Sequence, residues 1–428
     1  MIGPVDVNLR LDERDQARLA GTEGEALRMA TSIVARLAEA MEADRLLDVT
    51  GAHIDACLYL GPAMLDFADR LADAGARVSV PTTLNVSSLD LRHPDLYRGD
   101  PAEARAARRL MDRYEEMGCR PTWTCAPYQT EARPGFGEHV AWAESNAIAF
   151  ANSVLGARTH RYGDFVDIAC AVTGRAPAAG LHLDVNRPAT VVYRLAGISD
   201  ELLHRDVLYP VLGGLIGRSV GKAVPVVDGL PSGVSEDRLK ALGAAAAATG
   251  SVGLFHVVGS TPEAPDLTAA LGGLDPARVV EVAAPDLRAA RDRLTTGVGD
   301  RLDVVSLGTP HYSVAELGRL VDLLGDRRVH PGVTLYASTG RDVLHEVELR
   351  GWAIRLEEAG VQLVVDTCTY VTPIIDGDAR TAMTDSAKWA YYAPGNLGLE
   401  VVFGSAEDCV ESAVAGRVIR DEGIWAGA

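Results

Sequence analysis

The chain has 428 residues, is 47% hydrophobic and 23% charged, and has no low-complexity tract; this excludes a disordered protein and a coiled coil and allows two or three domains. A net charge of -18 and a pI near 5.0 argue against nucleic acid as a ligand, because phosphate recognition needs clustered Lys and Arg. Residues 1–15 are charged, without the apolar core of a secretion signal, and the apolar stretch 239–258 is broken by Gly243, Gly250 and Gly253 and carries Lys240 and His256. No membrane span is expected, and a cytoplasmic protein with reduced cysteines is.

In chain order, Ala26, Ala30, Ile33, Val34, Leu37 and Met41 recur at helical spacing, and residues 46–49 read as a strand ending at Gly51. Residues 77–80 read as a strand entering Pro81, and Asp100-Pro101 opens a helix that Gly118 closes. Residues 140–150 read as an apolar helix holding a polar triplet, Glu144, Ser145 and Asn146, which must be hydrogen-bonded or face a cavity. Strands follow at residues 224–227, 252–258, 303–307, 333–336, 361–365 and 401–403, with helices at 236–248 and after the capping box Ser313-Val314-Ala315-Glu316. Runs of Val and Leu without alternation suit strands buried on both faces, so the fold class is α/β with largely parallel sheets. Gly- and Pro-rich joints at 174–180 and 228–233 suggest an N-terminal region, 1–228, and a C-terminal region, 229–428.

Chemistry concentrates in a few segments. Pro121 and Pro127 bracket Cys125, a placement that suits either a rigidly presented ligand or a buried thiol. Pro81-Thr-Thr-Leu-Asn85 lies beyond the expected strand, where Thr82, Thr83 and Asn85 could hold a carboxylate. Gly308-Thr309-Pro310-His311 and Asp366-Thr-Cys368 each follow a buried strand. Three strand-end thiolates are what an iron–sulfur cluster with one open iron requires, and only two of these three loops carry a cysteine. His53, Asp55, His182 and His311 are acid–base candidates, and Lys388 beside hydroxyls suits an anion.

The segments Ala52-His-Ile-Asp55-Ala-Cys57, Pro81-Thr-Thr-Leu-Asn85, Met117-Gly-Cys119-Arg-Pro-Thr-Trp-Thr-Cys125-Ala-Pro-Tyr-Gln129, Trp142-Ala-Glu-Ser-Asn146, Arg161-Tyr-Gly-Asp-Phe165, Asp366-Thr-Cys368 and Phe403-Gly-Ser405 resemble the aconitase X family over nearly the whole chain. The resemblance implies an aconitase-like large subunit of several α/β domains around a central cleft, and a dehydratase of hydroxyproline or phosphomevalonate type. It implies His53, Asp55, Glu144, His311 and Lys388 as catalytic candidates, Thr82, Thr83, Asn85, Ser145, Asn146 and Thr309 as substrate-binding ones, and Cys125 and Cys368 as metal ligands. A smaller swivelling domain is expected on a separate small subunit, since the sequence ends at Ala428 without one.

Family members carry cysteine where this chain has Thr309, and threonine is a poor donor to a soft cluster. An altered cluster or lone iron on Cys125 and Cys368, a metal-independent dehydratase, and a non-catalytic scaffold all remain open. A composition rich in Ala, Gly, Arg, Asp and Val, of bacterial type, favours an amino-acid-like (hydroxyproline-like) or specialised-metabolite hydroxy acid over mevalonate 5-phosphate, and loss of the usual cluster favours a divergent substrate over hydroxyproline itself.

Overall fold

A computed structural model describes residues 9–426. The chain forms two compact units, one running to Leu89 and again from Asp100 to Arg187, the other comprising Asp90–Gly99 and everything from Pro188 onward.

In the first unit a parallel sheet places the strand Ala52–Ile54 between Thr82–Leu84 and Ala141–Trp142. All three residues of the central strand are buried, so His53 sits inside the layer. Leu46–Asp48 pairs antiparallel with Arg175–Pro177. The helix Glu25–Ala40 buries Ala26, Ala30, Val34, Ala35 and Ala38 along one stripe, as its spacing predicts. Asp100 caps the helix Pro101–Glu116 by accepting from the Ala102 N–H at 2.7 Å.

Two expectations need correction here. Residues 77–80 are not a strand; the strand is Thr82–Leu84, because Pro81 ends the approach and the β-branched threonines pair with Ala52 and His53. The helix expected over 140–150 begins only at Ser145, since Ala141 and Trp142 belong to the sheet and Glu144 turns the chain at a φ of 68°.

The second unit holds two parallel sheets. One runs His256–Val257, Pro225–Asp228, Val191–Leu195, Arg278–Val282 in spatial order; the other runs Val361–Val365, Thr334–Thr339, Val304–Tyr312, Thr381–Thr384, Glu400–Phe403. The joint expected at residue 228 would cut the first of these sheets, because Pro225–Asp228 pairs with both Val191–Leu195 and His256–Val257. The units part instead at Arg187 and Pro188.

In the five-stranded sheet the chain builds outward from Val304–Tyr312 and then returns to its other side with Thr381–Thr384. Such a reversal leaves a crevice at the carboxyl ends of the two strands, the usual ligand position in open α/β sheets. Gly308 is required there: its φ is +84°, and an added Cβ would lie 2.1 Å from the Ser338 carbonyl oxygen. Leu307, Leu317, Leu335 and Val365 are buried behind it, each contributing about 1.5–3 kcal/mol by leaving water.

Candidate functional site

In the first unit, the parallel pairing of Ala52–Ile54 with Thr82–Leu84 puts His53 beside Thr83, with His53 Nδ1 and Thr83 Oγ1 2.8 Å apart. The other ring nitrogen, Nε2, is buried without a partner. Burial lowers the His53 pKa to about 4, against smaller opposing effects of Glu144 and Asn85, so the imidazole is neutral at ordinary pH. Asp55 follows the strand, and its carboxylate accepts from Asn85 Nδ2. Although Asp55 keeps a partly exposed edge, desolvation raises its pKa to about 8, with added repulsion from Glu144, Asp164 and Asp167. Asn85 Oδ1 is buried and makes no hydrogen bond of good geometry, though it lies close enough to His53 to favour the ring's charged form. A protonated carboxyl, a neutral imidazole and an amide oxygen with an open acceptor thus share one strand-end site.

Glu144 builds the adjoining wall. Its left-handed backbone, uncommon outside glycine, lets the side chain cap the helix Ser145–Ser153, with Oε2 accepting from Ala147 N at 2.9 Å and Asn146 Nδ2 at 2.8 Å. Asn146 also donates to the Cys125 carbonyl at 2.6 Å and accepts from Tyr128 Oη at 2.8 Å, holding the buried cysteine's loop. Ser145 donates to Glu144 Oε1 at 3.3 Å. Thr82 differs from its neighbours: its hydroxyl donates to the Val80 carbonyl at 2.8 Å, a structural use. His182 is held by Tyr162 at 2.6 Å and His139 at 3.0 Å, a network in which no residue of the His53–Asp55 group takes part.

In the second unit, Thr309 and His311 lie near the end of Val304–Tyr312, and Cys368 follows Val361–Val365. His311 Nε2–H donates to the Thr367 carbonyl at 3.0 Å, which fixes the orientation of the ring. A ligand nitrogen of His311 and the Cys368 sulfur are within 4.8 Å of each other, and both residues are buried. A backbone carbonyl orienting the imidazole is the usual second contact of a metal-binding histidine. Arg341 grips the buried Asp366 through two bonds of 2.6 and 2.9 Å, steadying the turn that carries Cys368. Thr309 Oγ1 is buried without a partner, while its carbonyl accepts from Ser386 Oγ. Ser386 Oγ also accepts from Trp389 N at 3.1 Å, capping the helix Ala387–Leu397. Lys388 is buried in the first turn of that helix, not a solvated surface lysine.

The sequence reading did not single out Asp167 as a site residue. Its fully buried carboxylate accepts from the N–H groups of Asp55 at 2.7 Å and Ala56 at 3.1 Å through Oδ2, and from Ile168 at 2.7 Å through Oδ1.

Three family models match in chain order: the aconitase X first domain over residues 8–185, the second over 189–292 and the third over 302–415. The chain belongs to the aconitase X family. A cis-3-hydroxy-L-proline dehydratase of Pseudomonas aeruginosa is 47% identical over 96% of this chain and 71% of its own length. The phosphomevalonate dehydratase large subunit of Methanothermobacter thermautotrophicus is 36% identical over 92% of this chain and 96% of its own. The crystal structure of holo-form aconitase X from Thermococcus kodakaraensis superposes with a TM-score of 0.86 at 33% identity, covering 95% of this chain and all of the other. With dehydratases as its relatives, this aconitase X chain is a carbon–oxygen lyase, and the comparisons do not favour a non-catalytic scaffold. Among the described residues no helix is long and apolar enough to cross a membrane.

Proposed function

We propose that this chain is the large-subunit body of a dehydratase that removes water from a small hydroxy-carboxylate of the cis-3-hydroxy-L-proline class. The relative at 47% identity supports that substrate class over a phosphorylated one. The observation that carries the chemistry is the strand-end trio in the first unit: Asp55 with its pKa raised to about 8, next to two buried polar atoms without a hydrogen bond of good geometry, His53 Nε2 and Asn85 Oδ1.

Hydroxide is a poor leaving group, so elimination needs a proton delivered to the departing oxygen and stabilisation of the negative charge that forms beside the carboxylate. Asp55 holds its proton at neutral pH and serves as the general acid. Asn85 orients that carboxyl and offers its open oxygen to a substrate hydrogen, and His53 offers Nε2 from a neutral ring. Glu144 and Asn146 hold the wall against which these groups act. The family relatives called large subunits, matched over nearly their whole length, support a separate small-subunit partner. The base for the α-proton is assigned to that partner.

The second unit's residues fit a soft metal ion: the Cys368 thiol and the backbone-oriented His311 are suitable donors, and the resemblance adds Cys125. They do not fit a three-cysteine cluster, because the Thr309 hydroxyl stays protonated where a third thiolate would be needed. A bound metal would supply Lewis acidity toward the substrate's oxygens. The deciding experiment isolates the chain with its small subunit under anaerobic conditions, measures metal per chain, and follows water loss from cis-3-hydroxy-L-proline and other hydroxy acids. Turnover of a hydroxy acid supports the assignment, and none across that set refutes it.

A further inference from the structure

Asp55 has to be aimed as well as protonated. It sits on the turn just after Ala52–Ile54, where no strand pairing holds the backbone. The N–H groups of Asp55 and of the next residue would be unpaired there unless something accepted them. One oxygen of Asp167 accepts both, at 2.7 and 3.1 Å, while the other accepts from Ile168 at 2.7 Å. Asp167 lies in the first turn of the helix Val166–Thr173 and has no exposed surface.

We propose that Asp167 is the positioning residue for Asp55: its buried carboxylate clamps the peptide groups at 55 and 56 and so directs the Asp55 side chain toward Asn85. The proposal rests on the reading of Asp55 as the general acid. Surface residues cap helix ends routinely, but a carboxylate turned inward to hold a neighbouring turn is a different use of the same position. The charged groups bearing on Asp55 within this unit are Glu144, Asp164 and Asp167, all acidic. Asp167, whose own carboxyl pKa is pushed up to about 7 by burial, also adds repulsion that helps keep the proton on Asp55, an effect smaller than desolvation and the repulsion from Glu144 and Asp164.

The test uses the full chain with its small subunit and cis-3-hydroxy-L-proline as the probe, comparing Asp167→Asn, Asp167→Glu and Asp55→Asn. Asp167→Asn keeps an oxygen for the clamp but removes the charge and puts an N–H against one of the three donors. We expect kcat to fall about 10- to 100-fold with KM little changed, as misaimed groups do. The alkaline limb of the kcat profile should move slightly to lower pH as a like charge disappears. Asp167→Glu keeps the charge but misplaces it, so kcat should fall while the limb stays. A purely structural Asp167 would lower thermal stability and the active fraction, yet leave kcat per active site and the limb unmoved, which overturns the proposal. If Asp167→Asn does not fold, Asp167→Glu decides, and wild-type kcat there overturns the proposal. Wild-type turnover in Asp55→Asn would instead refute the reading of Asp55. An inactive Asp55→Asn together with an unaffected Asp167→Asn would remove the positioning role alone.

Discussion

The His53–Asp55–Asn85 group of the first unit and the Thr309–His311–Cys368 group of the second both sit at the carboxyl ends of parallel strands, yet they are prepared for different tasks. In the first, desolvation moves a carboxyl pKa up to about 8 and an imidazole down to about 4, and two polar atoms are left without a hydrogen bond of good geometry. In the second, the imidazole is tied to a backbone carbonyl near a thiol, and the one orphan is a hydroxyl. The same strand-end position can be tuned for proton transfer by burial with acidic neighbours, or for coordination by orienting an imidazole.

The largest effect is expected at Asp55. Asp55→Asn should cut kcat by about 10²- to 10⁴-fold, as loss of a general acid does, and leave bound metal unchanged. In the wild type the active form carries the proton, so activity should decline as pH rises through about 8. At the other end, activity should fall as pH drops through about 4, where His53 gains a proton and the neutral ring is lost. A rate–pH profile checks both limbs, and a flat alkaline side would sink the acid role.

Cys368→Ala tests the other region. Metal per chain should drop to background in mass spectrometry of anaerobically isolated protein, while any residual turnover keeps the limb near pH 8. Thr309→Cys should raise iron retained after reconstitution, since a thiolate replaces an unpartnered hydroxyl. Unchanged iron would show that this side chain does not reach the metal. The smallest effect is expected at Thr82→Val, where loss of the bond to Val80 should cost about 1 kcal/mol in chemical denaturation and leave kcat alone. A large rise in KM would restore Thr82 to the substrate-binding set.

Part of the second unit is legible in the sequence, where strands are continuous apolar runs, whereas Val191–Leu195, Arg278–Val282 and Thr381–Thr384, which carry polar or charged residues, are not. Residues 361–365 match the observed strand, and the Ser313–Glu316 capping box is present in both directions. The first unit is harder to read, because its short strands carry the polar chemistry. Thr82 and Thr83 look like a turn until their pairing with Ala52 and His53 is seen, and Glu144 looks like a helix interior until its left-handed backbone is. Asp167 reads as an ordinary acid in a first helical turn; only the fold turns it toward Asp55 and Ala56. The motif Arg161-Tyr-Gly-Asp-Phe165 lies two residues before it and was the available signal.

Ser386 uses one oxygen for two attachments, donating a hydrogen bond to the Thr309 carbonyl and accepting one from the Trp389 N–H at the start of a helix. An alanine there would remove both attachments in the same step, costing about 1 kcal/mol for the lost helix cap alone. A side chain that serves both ends must donate and accept from close to the backbone, which serine, threonine and asparagine can do.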